Sequence, residues 1–305
     1  MDAKTNALPR PAPQRQTNIL SVDVEDYFHV EALAGVVSRD QWSSYASRVE
    51  SSTHRLLDLF DETGARGTFF ILGWVAERYP ALVREIVTRG HEPACHSYWH
   101  RLVYALTPEA FREDTKRSKG LIEDAAGTAV FGYRAPSYSI TAKSLWALDV
   151  LAESGFTYDS SIFPIRHDVY GMPDAPRGPF RVQTRCGEIT EYPLTTFRLP
   201  WARQNMPVGG GGYLRILPVW YTRFGVARAL GDGLPLIVYV HPWEIDATQP
   251  RIAASLKSRL RHYTNLNRTE GRLRALLRER AFTSFRDGGL AASAPYANLS
   301  FEATR

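Results

Sequence analysis

Cysteine is nearly absent: Cys95 and Cys186 are the only two in 305 residues. So few exclude both a disulfide framework and a cysteine-rich zinc site. Long apolar runs are missing too, and nothing approaches the roughly 20 consecutive apolar residues that span a bilayer, so no transmembrane segment is expected. The opening residues, MDAKTNALPRPAPQRQTN, contain Pro9, Pro11 and Pro13 but no apolar core of a secretory signal. Residues 1–18 therefore read as a flexible tail, and the expected location is cytoplasmic. Neither sign of charge dominates: 37 Lys and Arg stand against 32 Asp and Glu, a net charge of +5. The arginines that gather between Arg259 and Arg280 read as a solvated helix face. No basic motif interleaved with aromatics is visible, so no nucleic-acid partner is expected. Oligomeric state leaves no trace.

What is present is a globular composition, 44% hydrophobic, in a chain long enough for one large domain with a deep core. Residues 18–23 (NILSVD) form a short apolar strand ending in acid. A helix follows over about 53–62, with Leu56, Leu57, Leu59 and Phe60 inward, and stops at Gly64. Residues 67–72 (GTFFIL) are apolar on both faces, as in a buried parallel strand. Helical segments at 73–79 and 80–89, a strand-like piece at 91–96, and a helix opened by Thr107 and Pro108 come next. Residues 130–134 are strand-like, 141–154 helical, and 234–241 (LPLIVYVH) form the last buried strand. Strands alternating with helices predict an α/β fold with a parallel sheet, its acids and histidines at the C-terminal strand ends. Residues 168–218, rich in Pro and Gly, read as a loop-rich insertion, a lid or small sheet; residues 246–305 read as a basic, mostly helical C-terminal extension.

The sharpest local signal is His96-Ser-Tyr-Trp-His100. Two histidines at i and i+4 share one face if the segment is helical, and two imidazoles plus a carboxylate leave open positions for water and substrate on a divalent metal. Asp23-Val-Glu-Asp26 supplies acids at another strand end, and close acids are relieved by a cation. Alone, the histidine pair reads more readily as ordinary surface or core residues.

The order of motifs resembles the polysaccharide deacetylase family, which includes chitin deacetylases and the rhizobial chitooligosaccharide deacetylase. The resemblance rests on Ser21-Val-Asp-Val-Glu-Asp26, His96-Ser-Tyr-Trp-His100, Arg134-Ala-Pro136, Phe156-Thr-Tyr-Asp159 and Leu236-Ile-Val-Tyr-Val-His241, and covers about residues 19–245. It implies a deformed (β/α) barrel of about seven strands as the catalytic domain over 19–245, with the helical extension packed on it. Val24–Phe28, Gly210–Leu214 and residues 263–270 are similar to a subgroup linked to exopolysaccharide loci, the exosortase-associated one.

The resemblance also implies roles. Asp23 is the general base and Arg134 holds it ionised; His241 is the general acid, with Asp159 as its partner. The metal falls to His96, His100 and a carboxylate. Where the family has two adjacent aspartates, Val24 takes the second place, so the carboxylate is Glu25, with Asp26 the alternative. Zinc suits this ligand set, and cobalt, nickel or manganese fit similar sites. Pro136 fixes the turn after Arg134, a backbone N–H near Ser137 or Tyr138 faces the oxyanion, and Tyr138 and Trp243 wall the substrate site. The reaction implied is hydrolysis of N-acetyl groups from amino sugars of a glycan, in exopolysaccharide synthesis. Two alternatives stand beside it: an allantoin-like cyclic amide hydrolase, and a non-catalytic glycan-binding module.

Overall fold

The computed structural model of the chain describes residues 17–297 and 299. Residues 1–16 of the expected tail lie outside them. Asn18 already belongs to the first strand, because its backbone pairs on two sides, in register with Leu236 and through its carbonyl with the Thr283 N–H at 3.0 Å.

In chain order the elements are β1 (Asn18–Val24), α1 (Val49–Thr63), β2 (Thr68–Ile71), α2 (Gly73–Arg78), α3 (Pro80–Thr88), β3 (Glu92–Cys95), α4 (Pro108–Ala126), β4 (Gly132–Tyr133), α5 (Trp146–Glu153) and β5 (Tyr158–Asp159). They continue with β6 (Phe180–Thr184), β7 (Gly187–Glu191), β8 (Thr196–Arg198), β9 (Asn205–Pro207), α6 (Gly212–Ile216), α7 (Val219–Gly231), β10 (Leu236–Val240), α8 (Leu256–Tyr263) and α9 (Leu266–Glu279). Thr107 caps α4 as its sequence predicts, accepting the Ala110 N–H at 3.2 Å ahead of Pro108 in the first turn. Gly64 ends α1 at φ 66°, a left-handed position that suits glycine.

Eight strands make one curled sheet, ordered β10-β1-β2-β3-β4-β5-β7-β6. The first seven run parallel and β6 returns antiparallel on β7, so the expected deformed (β/α) barrel is present, with one extra edge strand. Both β6 and β7 come from the stretch read as an insertion; the Pro- and Gly-rich flanks hide their pattern. Only β8 and β9 form the separate small sheet anticipated there.

Strand side chains alternate between two cores, as the period of two requires. Leu236, Val238 and Val240 of β10 pack outward against the helices, while Ile237 and Tyr239 join Phe70, Tyr138, Tyr158 and Phe285 inside the curl. Phe285 comes from the segment after α9, whose described residues hold one short 3-10 turn (Leu290–Ser293) and no α-helix. That segment bridges β1 at Thr283 and β6 at Tyr296, so it crosses the open bottom of the curl. The two helices of the C-terminal region lie apart from this crossing, α9 packing on α1 and on the turn Pro242–Ile245.

Candidate active site and metal centre

The C-terminal ends of the parallel strands converge on one cleft of about 170 Å³, lined among others by Asp23, Glu25, His96, His100, Tyr138 and His241. β1 delivers Asp23 on its inward face. Just past β1 the Glu25 N–H bonds back to the Asp23 carbonyl at 3.0 Å, which turns Glu25 into the same cleft. Asp26 goes elsewhere: its carboxylate accepts from Ser47 Oγ and the backbone N–H groups of Arg48 and Val49 at 2.7, 2.8 and 3.1 Å. It thereby anchors the start of α1, and Glu25 is the acid that meets the histidines.

The two histidines come together through a turn, not a helix face. Residues 96–100 are irregular, with Ser97 at φ 64° and His100 at φ 50°. Asp114 of α4 holds the turn by accepting the Tyr98 N–H at 2.7 Å and the Trp99 N–H at 3.3 Å. The rings approach to 5.4 Å between centroids. His96 Nδ1–H donates to the Arg134 carbonyl at 2.8 Å, which leaves Nε2 free as a ligand. Burial brings His96 down to about 4, against the opposing charge of Asp23, so it is neutral and able to ligate.

Glu25, His96 and His100 offer ligand atoms that all lie within 4.8 Å of one another. Glu25 Oε2 sits 2.9 Å from His100 Nε2, yet no aligned hydrogen bond satisfies this buried oxygen. Two donors aimed at one point rather than at each other fit a shared divalent cation. Burial alone would raise the Glu25 carboxyl; the facing His100, with His241 and His96, carries it well below the usual range.

Arg134, fully buried, ties the base to the barrel. Its Nη1 donates to Asp23 Oδ1 at 2.7 Å and Ser21 Oγ at 2.8 Å, its Nη2 to Ser160 Oγ at 2.9 Å, and its plane lies over the Phe70 ring at 4.1 Å. Burial opposes the guanidinium charge, and Asp23 more than offsets it. One carboxylate oxygen of Asp23 therefore remains toward the cleft, 3.8 Å from His241 Nε2.

The expected partner of His241 is not Asp159. Asp159 ends β5 in register with Glu191 on β7, accepts from Ser161 Oγ at 2.5 Å, and faces that second carboxyl inside the wall. His241 Nδ1 instead donates to Glu244 Oε2 at 2.9 Å, three residues on in the same turn, and Arg215 Nε donates to Glu244 Oε1 at 3.0 Å. Burial disfavours a charged His241, but Glu244, then Glu25 and Asp23, raise it to about 9. Glu244, against its own burial, falls to about 2 under His241 and Arg215. The pair was legible in His241-Pro-Trp-Glu244 as an acid one turn away; Arg215, buried and distant in sequence, had no local signal.

Trp243 does more than wall the cleft. Its indole N–H donates to Glu25 Oε1 at 3.1 Å and its ring stacks between His241 and His262, at 5.1 and 4.3 Å. Tyr138 lines the cleft from a strained backbone: Ser137 and Tyr138 both have positive φ, 51° and 52°. Four of the five described non-glycine residues with positive φ thus belong to this site, where such strain tends to collect. Pro136 is buried at the start of that turn and does not line the cleft; it shapes the backbone beneath Ser137. Cys95, beside His96, points into the outer core, where burial pushes its thiol up to about 12.

A partly closed parallel barrel thus gathers at its strand ends two histidines and a carboxylate that could hold a divalent cation, beside a paired aspartate and a histidine held protonated. Residues 40–158 match the polysaccharide deacetylase family, and residues 160–288 match a domain of unknown function, DUF3473. Over residues 40–158 the chain is thus of polysaccharide deacetylase type. A peptidoglycan deacetylase of Helicobacter pylori is 33% identical over 108 residues, covering 35% of this chain and 36% of that protein. A peptidoglycan-N-acetylglucosamine deacetylase of Bacillus cereus is 29% identical over 98 residues, 32% of this chain and 36% of its own length. A chitooligosaccharide deacetylase of Bradyrhizobium is 28% identical over 102 residues, 33% and 44% of the two chains. The chain thus spans little more than a third of the first two relatives. The crystal structure of a Mycobacterium smegmatis protein, provisionally named a polysaccharide deacetylase, shares the fold at TM-score 0.64 and 20% identity, over 96% of this chain and 97% of that one.

Proposed function

We propose that the chain is a metal-dependent hydrolase that removes N-acetyl groups from the amino sugars of a glycan. The observation that carries this reading is the convergence of Glu25, His96 and His100 beside Asp23 and His241 in one cleft. The three former residues would hold the ion, zinc by preference for two imidazoles and a carboxylate. When bound, the ion supplies Lewis-acid polarisation of the acetyl carbonyl and acidification of water.

The chain's own residues do the proton work. Asp23, kept in place by Arg134, takes the proton of the attacking water through its cleft-facing oxygen. Of the two N–H groups expected to face the oxyanion, that of Tyr138 is committed to the Ala135 carbonyl at 3.1 Å, which favours Ser137. His241, kept protonated by Glu244, delivers a proton from Nε2 to the nitrogen as the C–N bond breaks. Acetate and the free amine leave. The cleft adjoins a second hollow of about 700 Å³, sharing Glu31, Ala32, Ser137, Tyr170 and Tyr239. That open continuation suits a chain-like substrate better than a small cyclic amide, and an exopolysaccharide or its precursor in the cytoplasm is the substrate we favour.

The test is acetate release from N-acetylglucosamine oligomers by metal-stripped protein, zinc- or cobalt-restored protein, and His96→Ala. Metal-dependent release lost in the variant supports the reading. Bound metal without acetate points to another amide, and neither metal nor acetate to a glycan-binding module.

A further inference from the structure

Ten large hydrophobic side chains are exposed among the described residues, and seven of them fall in two stretches, 192–231 and 247–269. Those stretches contain ten Lys and Arg residues, all but the buried Arg215 outside the core, and no Asp or Glu. A chain of net charge +5 owes its basic character to them, since the remainder holds more acids than bases.

The exposed apolar groups form faces on the elements, not scattered points. α7 buries Gly225, Val226, Ala229 and Leu230 on one side, and on the other presents Val219, Trp220 and Phe224 at 45, 69 and 45% exposure. A helix apolar on both sides is expected to be covered on both. Ile216, just before α7, is 41% exposed, and α8 shows Leu256 and Leu260 at 71 and 57%. The end of α6, which leads into α7, adjoins α8: Ile216 and Leu217 line the same hollow as Lys257 and Arg261. Trp201, 81% exposed, stands at the turn between β8 and β9, a hairpin joined to α7 through the Phe197 and Phe224 rings at 5.7 Å.

Arg203 and Arg259 within the surface make no ion pair with any described residue. The acids that do reach it, Asp168 toward Lys257 and Arg261 and Glu279 toward Arg223, come from other elements.

We infer that this face, built by α7, α8 and the β8–β9 turn, docks on an anionic lipid bilayer. Tryptophan, phenylalanine and leucine beside an excess of Lys and Arg are the chemistry of an interfacial surface: the apolar tips enter the headgroup boundary and the cations meet lipid phosphates. No described helix is long and apolar enough to cross a membrane, so the contact is peripheral. Ile216 belongs both to this face and to the hollow leading to the catalytic cleft, so docking places the groove mouth at the lipid surface. The inference does not depend on the reaction catalysed.

Co-sedimentation of the full chain with vesicles tests it. Vesicles of phosphatidylcholine with phosphatidylglycerol should bind the protein, those of phosphatidylcholine alone much less, and binding should fall as salt rises. Lys257→Glu with Arg259→Glu should weaken binding by about a hundredfold, and Trp220→Glu with Phe224→Glu by at least about tenfold. All four changes are at exposed positions, and circular dichroism verifies that the variants fold. Phe131→Glu, an exposed aromatic outside both stretches, should leave binding unchanged. Equal binding to neutral and anionic vesicles, or folded variants that bind like the unaltered chain, would overturn the proposal. So would a concentration-dependent dimer abolished by Trp220→Glu, which would assign the face to a second copy. Acetate release from soluble oligomers, measured on the Trp220→Glu with Phe224→Glu variant, whose changes lie outside the cleft and its adjoining hollow, keeps failure of docking separate from failure of the deacetylase reading.

Discussion

Glu244 stands between His241 and Arg215, one carboxylate oxygen at 2.9 Å from His241 Nδ1 and the other at 3.0 Å from Arg215 Nε. The chain of buried charges runs from α6 to the cleft and keeps the imidazole protonated, as the proposed role of His241 as general acid requires. Because His241 holds its proton more tightly folded than unfolded, the pair's contribution to stability is complete below the unfolded histidine value of about 6.5 and is lost as pH rises through about 9.

Glu244→Gln removes that support. The alkaline limb of the pH–rate profile should move toward neutrality, with little change on the acid side. Replacing the acid itself, His241→Ala, should cost about 10²- to 10⁴-fold in kcat. An E244Q profile that overlays the parent would refute the role of this carboxylate. The loss of stability is read by thermal unfolding of metal-free protein across the same pH range.

Arg134→Met leaves Asp23 buried without its cation. Breaking a buried pair from one side costs about 3–5 kcal/mol, so chemical denaturation should show a loss of that size, and deacetylation should fall even where the variant is fully folded.

Asp114 touches no proposed ligand directly, yet its carboxylate holds the turn between His96 and His100. Asp114→Ala should weaken zinc or cobalt affinity by about 10- to 100-fold, read by titration against a competing chelator. Unchanged affinity would mean that the strained turn holds itself.

Asp159 and Glu191 form a pair of carboxyls within the barrel wall, with Asp159 Oδ2 and Glu191 Oε2 left unpartnered. Burial raises both, and Asp159 raises Glu191 further. Each binds its proton more tightly folded than unfolded. Their contribution is therefore complete below the ordinary carboxylate range near about 4 and is lost as pH climbs toward and past neutrality. Glu191→Gln should flatten that decline and gain at least about 1 kcal/mol at mildly alkaline pH; an unaltered stability-versus-pH curve would rule the pair out.

Strand and helix order was readable because burial enforces periodicity. GTFFIL and LPLIVYVH have no polar face to show, so they had to be interior strands, and Thr107-Pro108 had to open a helix. β6 and β7 escaped notice because short strands flanked by prolines and glycines carry too few residues to display a period. Among polar residues, His96, His100, Asp23 and Arg134 stood out because each follows an apolar strand. The role of Asp114 could not stand out, since a polar side chain within an amphipathic helix looks the same whether it meets solvent or a strained turn.

Local sequence by itself determined the alternation of strands and helices, the edge of the sheet at which polar groups gather, and which short motifs lie there, because these follow from patterns a few residues long. Tertiary structure alone decided which groups meet. It turned Glu25 inward and Asp26 onto α1, gave Asp159 to Glu191, and set Arg215 behind the local His241–Glu244 pair. It also set the end of α6 beside α8 at the hollow that adjoins the cleft. Partners far apart in the chain are chosen by strand order and by the cost of leaving a buried charge unpaired, and neither is written in any single segment.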